Sequence, residues 1–263
     1  MDPILITYDN APTENSKFFF ETCIRNGWKI NHIGNGETWL GFINKINAYK
    51  KICEELPSDQ IVVLSDSRDV FCTRAPIGFI DGFNEFKSDI VVSTEIFSDG
   101  HIDKPDTAEN IKSMPLHTYY KHHNITPGIR KYINSGLIAG RANALAFMWS
   151  WIIEQQFEDD QLGVHSFANT FPDKIALDKD AVLLHSSTFA VNAGIKNMHI
   201  QKLDAPTFGE LLGCSAFFLH IPGTNLRGQG KLYEIIKDHL QKYSSFELLK
   251  LYGYRIPQWN EIF

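Results

Sequence analysis

Cysteine is scarce in this chain: four in 263 residues, Cys23, Cys53, Cys72 and Cys214, with no two at CxxC spacing. A cysteine-built zinc site is therefore not expected, and no disulfide framework is indicated for a chain long enough to close a core without staples. The thiols are expected to be buried and reduced, packing as small hydrophobes. A basic excess is also missing, since 25 Lys and Arg face 31 Asp and Glu for a net charge of −6. That balance argues against nucleic acid or an anionic membrane surface as the main partner. No apolar run approaches the ~18 residues of a membrane span. The start, Met1-Asp2-Pro3, is acidic, and the apolar stretch behind it is too short for a signal peptide. The expected location is the cytoplasm, unless the chain is a domain of something longer. No repeat, low-complexity tract or Gly/Ser linker divides the sequence, so one domain is expected over residues 1–263.

What is present is an ordinary globular mixture, 43% hydrophobic and 21% charged, which excludes a disordered chain. Ile4 to Tyr8 is an apolar, β-branched run stopped by Asp9-Asn10-Ala11-Pro12, which predicts a buried strand ending in a loop. A helix is expected over about Ser16 to Asn26, a short strand near Trp28 to Ile33, and a helix from about Asn44 to Leu56. Ile61 to Leu64 and Asp89 to Ser93 are apolar enough for strands buried on both faces. This alternation predicts an α/β sheet with parallel pairing. From Asp99 to Arg130 the sequence has no clear period and is expected to be a surface excursion. Leu145, Trp149, Ile152 and Ile153 form the apolar stripe of a helix over Arg141 to Phe157. Short strands are expected near Ala176–Leu177, Ala181–Leu184 and Ala216–Leu219, and a helix over Lys231 to Tyr243. Asn124-Ile125-Thr126 fits a glycosylation sequon, expected to be unused without a signal peptide.

Two carboxylates, Asp66 and Asp69, flank Ser67-Arg68 directly after the strand Ile61–Leu64. Open α/β sheets bind ligands at the carboxyl ends of their strands, and an i, i+3 carboxylate pair there can converge on a hard divalent cation. The plain alternative is a solvated Asp-rich turn. His220 follows the apolar strand Ala216–Leu219, and an imidazole beside two carboxylates suits manganese. Asn134-Ser135-Gly136 and Asp159-Asp160-Gln161 place polar residues in two further loops. The two aspartates there could orient sugar hydroxyls or stabilise an oxocarbenium-like centre, or could simply charge a helix end.

Taken in order, strand-DxxD, YINSG, EDDQL, LDKDAVLLHS and HxPG span nearly the whole chain. This set resembles the glycosyltransferase domain of procollagen lysyl hydroxylases and the related collagen glycosyltransferases of giant viruses. Gly34-Asn35-Gly36-Glu37-Thr38-Trp39 also resembles that family's glycine-flanked Glu-Trp segment. The resemblance implies a GT-A-type nucleotide-sugar-binding fold with a mixed, mainly parallel central sheet. It also implies a manganese-dependent hexosyltransferase using UDP-glucose, or UDP-galactose, on hydroxylysine or galactosyl-hydroxylysine of a collagen-like chain. A homodimer is compatible with it, and a viral origin would mean the host cytoplasm. By the same resemblance Asp66, Asp69 and His220 match metal ligands. Thr7 and Trp39 match residues at the uracil and nucleotide pocket, with Lys45, Asp66, Gly223 and Arg227 at the donor. Asp159, Asp160 and Asn134 match residues near the transferred sugar. The chain departs from the family at Arg68, where an aromatic is common, at Leu226, where a lysine is replaced with Arg227 adjacent, and near Asp99, where a gating tryptophan is expected. Two other readings are a collagen-binding module without transfer activity and a metal-dependent phosphohydrolase. The latter calls for a DxD pair that Asp66-Ser67-Arg68 lacks.

Overall fold

Among the described residues nine strands join one sheet, and their order explains where the polar residues meet. The computed structural model describes residues 1–95, 116–127, 131–186 and 216–222, together with Tyr233, Glu234 and Lys237. In chain order the elements are β1 (Ile4–Tyr8), α1 (Glu14–Arg25), β2 (Ile30–Ile33), α2 (Phe42–Glu55), β3 (Ile61–Ser65), β4 (Val70–Cys72), α3 (Phe79–Glu85) and β5 (Ile90–Glu95). Then follow α4 (His117–His122), β6 (Tyr132–Arg141), α5 (Ala142–Glu154), α6 (Asp160–Thr170), a 3-10 turn (Pro172–Lys174), β7 (Ile175–Asp178), β8 (Leu184–Ser186) and β9 (Phe218–His220).

The strand order is β2-β1-β3-β6-β5-β8-β9-β4, with β7 also on β5. β1 runs parallel to β2 and β3, β5 parallel to β7 and β8, and β8 parallel to β9. β6 is antiparallel to both β3 and β5, and β4 is antiparallel to β9. The sheet is thus mixed and mainly parallel, as expected. Two reversals across β6 return β5, β8 and β9 to the direction of β3. The carboxyl ends of β1, β3, β5, β8 and β9 therefore share one edge, and β4 and β6 begin there.

Side chains alternate across each strand, so a strand apolar at every position has to be covered on both faces. In β3, Val62 and Leu64 pack with Ile46, Tyr49, Trp149, Ile152 and Phe167 beneath α2, α5 and α6. Ile61 and Val63 face the opposite core of Phe19, Trp28, Phe79, Phe83 and Phe218. The α5 stripe falls at Leu145, Trp149 and Ile152 as expected, all fully buried, with Met148 in place of Ile153, which is only partly buried. α1 begins ahead of its expected start because Thr13 caps it: the Ser16 N–H donates to Thr13 Oγ1, and Ser16 Oγ accepts from the Thr13 N–H. Cys23, Cys53 and Cys72 are buried free thiols, while Cys214 lies outside the described residues. No described helix is long and apolar enough to cross a membrane.

Three local expectations need correction. Within the expected surface excursion, residues 116–122 form structure: Leu116, Tyr119 and Tyr120, at i, i+3 and i+4, are buried against the α5 and α6 core. The strand expected over Ala181–Leu184 starts only at Leu184, because buried Asp178 accepts the N–H groups of Val182, Leu183 and Leu184 and bends the chain ahead of the strand. No helix was expected over Asp160–Thr170, where Gly163 weakens the helical signal. That glycine lets α6 approach α5, since a Cβ on it would lie 2.7 Å from Ile152 Cγ2. In the expected tail helix, Tyr233, Glu234 and Lys237 are helical, and Tyr233 stacks on Phe71 with ring centroids 4.6 Å apart. The rest of residues 231–243 lies outside the described residues.

Candidate active site

At the shared strand edge, Asp66 directly follows β3 and Asp69 directly precedes β4. His220 is the last residue of β9, inside the strand rather than in the loop after it, and pairs with Val70 and Ser186 in the sheet. One ligand atom from each of Asp66, Asp69 and His220 lies within 4.8 Å of the other two. His220 Nε2 stands 3.2 Å from Asp69 Oδ1 and 3.9 Å from Asp66 Oδ2.

The tautomer of His220 follows from a chain of hydrogen bonds. Glu95, at the end of β5, is buried, and its carboxylate can only accept. It takes a bond from Asn134 Nδ2 at 3.0 Å and another from Gln161 Nε2 at 3.2 Å. The Asn134 amide is thereby oriented with Oδ1 toward the ring, 2.9 Å from His220 Nδ1, and that oxygen also accepts the Gly136 N–H. Nδ1 must carry the proton, so the neutral ring presents its Nε2 lone pair to the two aspartates. Nε2 is buried and, despite its nearness to Asp69, makes no aligned hydrogen bond. An unpartnered imidazole nitrogen aimed between two carboxylates fits a divalent cation. Burial lowers the His220 pKa, while Asp69, Asp66 and Glu95 raise it, and the carboxylates prevail.

Gly136 lets this packing happen. A Cβ on it would lie 2.6 Å from His220 Nδ1 and 2.8 Å from Asp66 Oδ2, closer than non-bonded atoms come. Asn134-Ser135-Gly136 thus lies within β6 rather than in the expected loop, and its asparagine and glycine act on the same ring in different ways.

Lys45 brings a second pair together. Its side chain, on α2, is 6% exposed, and Nζ stands 2.7 Å from Asp66 Oδ1 and 2.7 Å from Asp160 Oδ2. Burial disfavours the charged amine, but Asp160 and Asp66 outweigh it and hold the Lys45 pKa well above its usual value. The Asp66 pKa is pushed up by burial and down by Lys45 and His220, with a net lowering. Asp160 is buried at the start of α6, joined to the metal-type cluster through this lysine. Asp159 differs from it: exposed, it is the N-cap of α6, accepting the Leu162 N–H at 2.7 Å.

Trp39 is 45% exposed, which excludes a plain core tryptophan; its ring lies 6.1 Å from Tyr8 and 5.6 Å from Phe42. Tyr8 donates its hydroxyl to Glu37 at 3.0 Å, linking the Glu-Trp segment to the end of β1. Thr7 is fully buried in β1, and its Oγ1 makes no hydrogen bond among the described residues. Gly223, Arg227, Leu226 and Asp99 lie outside the described residues.

Sequence reasoning missed Glu95, Gln161 and Asp9. Glu95 ends an apolar strand much as Asp66 follows one, a signal that was available. Asp9, after β1, accepts from Ser67 Oγ at 2.7 Å and Arg68 Nη2 at 2.8 Å, and Ser16 Oγ also donates to it. It thus clamps the two residues between Asp66 and Asp69. Arg68 is held there and on the Ala11 carbonyl, at 3.2 Å.

The chain is similar in structure to a glycosyltransferase involved in the glycosylation of the major capsid of PBCV-1. The TM-score is 0.50 at 14% identity, over 89% of this chain and 100% of that one. The fold is of the GT-A type. Mouse xyloside xylosyltransferase 1 in its apo form is a more distant likeness, with a TM-score of 0.43 and 9% identity over 84% of this chain and 97% of that one. No protein-family profile matches the sequence. No curated protein sequence matches it. Within the GT-A-type sheet, Asp66, Asp69 and His220 occupy the edge at the strand carboxyl ends where open α/β sheets bind their ligands.

Proposed function

We propose that this chain is a metal-dependent glycosyltransferase that moves a hexose from a UDP-sugar to hydroxylysine, or to galactosyl-hydroxylysine, in a collagen-like chain. The observation that carries the reading is the convergence of Asp66, Asp69 and an oriented, unpartnered His220 Nε2 on a GT-A-type sheet. The ordered motifs of the sequence supply the acceptor and donor classes.

Asp66, Asp69 and His220 would hold Mn2+, which when bound supplies charge neutralisation at a diphosphate leaving group. Two oxygens and one nitrogen suit manganese. Trp39, exposed beside Tyr8, offers an aromatic face to the uracil, with Thr7 at the end of the same strand. Gly223 and Arg227 serve the diphosphate. Lys45 favours the ionised form of Asp66 and holds Asp66 and Asp160 in place. Asp160, Asp159 and Asn134 border the transferred sugar, where a carboxylate stabilises developing positive charge. Glucose is favoured over galactose as the transferred sugar.

The test is release of UDP from a panel of UDP-sugars with Mn2+, with free and galactosylated hydroxylysine peptides as acceptors. UDP-glucose with the galactosylated peptide is expected to turn over, and His220→Ala to abolish the reaction. Transfer only of galactose, and only to free hydroxylysine, would reverse the sugar assignment. Absence of any Mn2+-dependent UDP release or binding would overturn the proposal.

A further inference from the structure

Away from the strand edge, the described residues bring together a second group of metal-type side chains: His122, His123 and Asp173, with one ligand atom of each within 4.8 Å of the other two. We infer that these three residues form a second divalent-cation site, of the zinc or copper class, tying the end of α4 to the 3-10 turn Pro172–Lys174.

Adjacent residues on a helix diverge by about 100° at 3.6 residues per turn, so neighbouring histidines do not ordinarily share a ligand. Here they do converge. His122 is the last residue of α4 and His123 its C-cap, where the helix is already ending, and Asn124 reverses the chain with φ 51°. The two imidazole centroids are 4.9 Å apart. His123 is held from both sides: its ring lies 4.5 Å from Tyr119, and its Nε2 lies 3.1 Å from the Pro172 carbonyl oxygen. A carbonyl only accepts, so Nε2 carries the proton and Nδ1 keeps a lone pair. His122 Nε2 stands 2.8 Å from Asp173 Oδ1. A cation that replaces the proton between them gains an imidazole and a carboxylate ligand together.

The donor set separates this group from the first. Two imidazoles and one carboxylate favour zinc, copper or nickel, whereas one imidazole and two carboxylates suit manganese. The His122 and Asp173 side chains are 43% and 79% exposed, so entry is open and water can complete the coordination. The consequence is structural. α4 has 6 residues, too few for a helix to be stable on its own, and it packs on α6 and the 3-10 turn. A cation across the gap would fix that contact.

The experiment compares the full chain with a His122→Ala, His123→Ala double variant, each titrated with Zn2+ alone by calorimetry and melted with and without Zn2+. The double variant is expected to bind a zinc ion fewer per chain and to lose that part of the thermal stabilisation by zinc. Its circular dichroism and its Mn2+-dependent binding of UDP should match the unsubstituted chain, because neither histidine touches the first site. Asp173→Asn, which keeps the shape and removes the charge, should weaken the same zinc event. Equal zinc stoichiometry and equal zinc-dependent melting in the unsubstituted chain and a folded double variant would overturn the inference.

Discussion

Asn134 Oδ1 stands 2.9 Å from His220 Nδ1, although the two residues are far apart in sequence and belong to strands that are not neighbours in the sheet. The bond reaches back through Asn134 Nδ2 to Glu95, so a carboxylate on β5 determines which nitrogen of a ring on β9 is free. Removing the asparagine should leave the strand edge folded and free the ring to change tautomer. Groups that orient a metal-bound histidine are commonly worth about 10–100-fold in metal affinity. Asn134→Ala is accordingly expected to weaken Mn2+ binding by that factor in a calorimetric titration. Unchanged affinity would remove the orienting role.

Gly136→Ala adds a methyl group where the His220 ring and the Asp66 carboxylate already lie. Overpacking of this kind costs about 1–3 kcal/mol. Urea melts are expected to show that loss, together with loss of the Mn2+-dependent gain in UDP affinity. A variant as stable as the parent would mean that the ring can move aside.

Lys45 is the buried cation between Asp66 and Asp160. Lys45→Met leaves Asp160 buried with its charge uncompensated, and breaking such a pair costs about 3 kcal/mol or more. Replacing both partners, Lys45→Met with Asp160→Leu, should recover most of the stability, because an apolar pair carries no desolvation penalty. Chemical denaturation of the single and double variants measures the difference. A double variant no more stable than Lys45→Met would contradict the buried-charge account.

Asp9 introduces a pH dependence. Burial raises its pKa, but the bonds from Arg68, Ser16 and Ser67 outweigh burial and lower it. A carboxylate with a depressed folded pKa contributes stability above its unfolded pKa of about 3.9, and that contribution is lost as pH falls through the folded value. Asp9→Asn should therefore cost about 1–3 kcal/mol at pH 7. The gap from the parent should narrow as the pH is taken below about 4. Melts at both ends of that range test it; a gap independent of pH would show that charge is not what Asp9 contributes.

Trp39 is exposed, so Trp39→Ala should shift the melting temperature little. Aromatic stacking on a base is worth about 1–3 kcal/mol, so UDP binding should weaken about tenfold or more. Asp159→Ala should do the reverse in one respect: loss of the α6 N-cap costs about 0.5–2 kcal/mol of stability. Stability and donor affinity measured side by side separate a residue that only lines the pocket from one that also caps a helix.

Much of this protein was legible in one dimension. Buried strands announce themselves as short apolar runs, and β1, β3 and β5 begin and end within about two residues of those runs. Three of the four residues expected in the α5 stripe, Leu145, Trp149 and Ile152, are buried in it. Asp66 and Asp69 stand out because a polar pair directly after such a strand belongs at a sheet edge, and strand order hardly affects that. What the tertiary structure decided is which distant residues meet there. β6 enters antiparallel between β3 and β5, and this turns the later parallel strands so that Glu95, Asn134 and His220 end on the same edge as Asp66. Local sequence cannot encode that, since pairing partners are chosen by packing across the whole sheet. The same holds for Asp159 and Asp160, adjacent and alike in chemistry. One caps a helix in solvent and the other is buried on Lys45, because the first turn of α6 points one carboxylate outward and the next into the space beside α2.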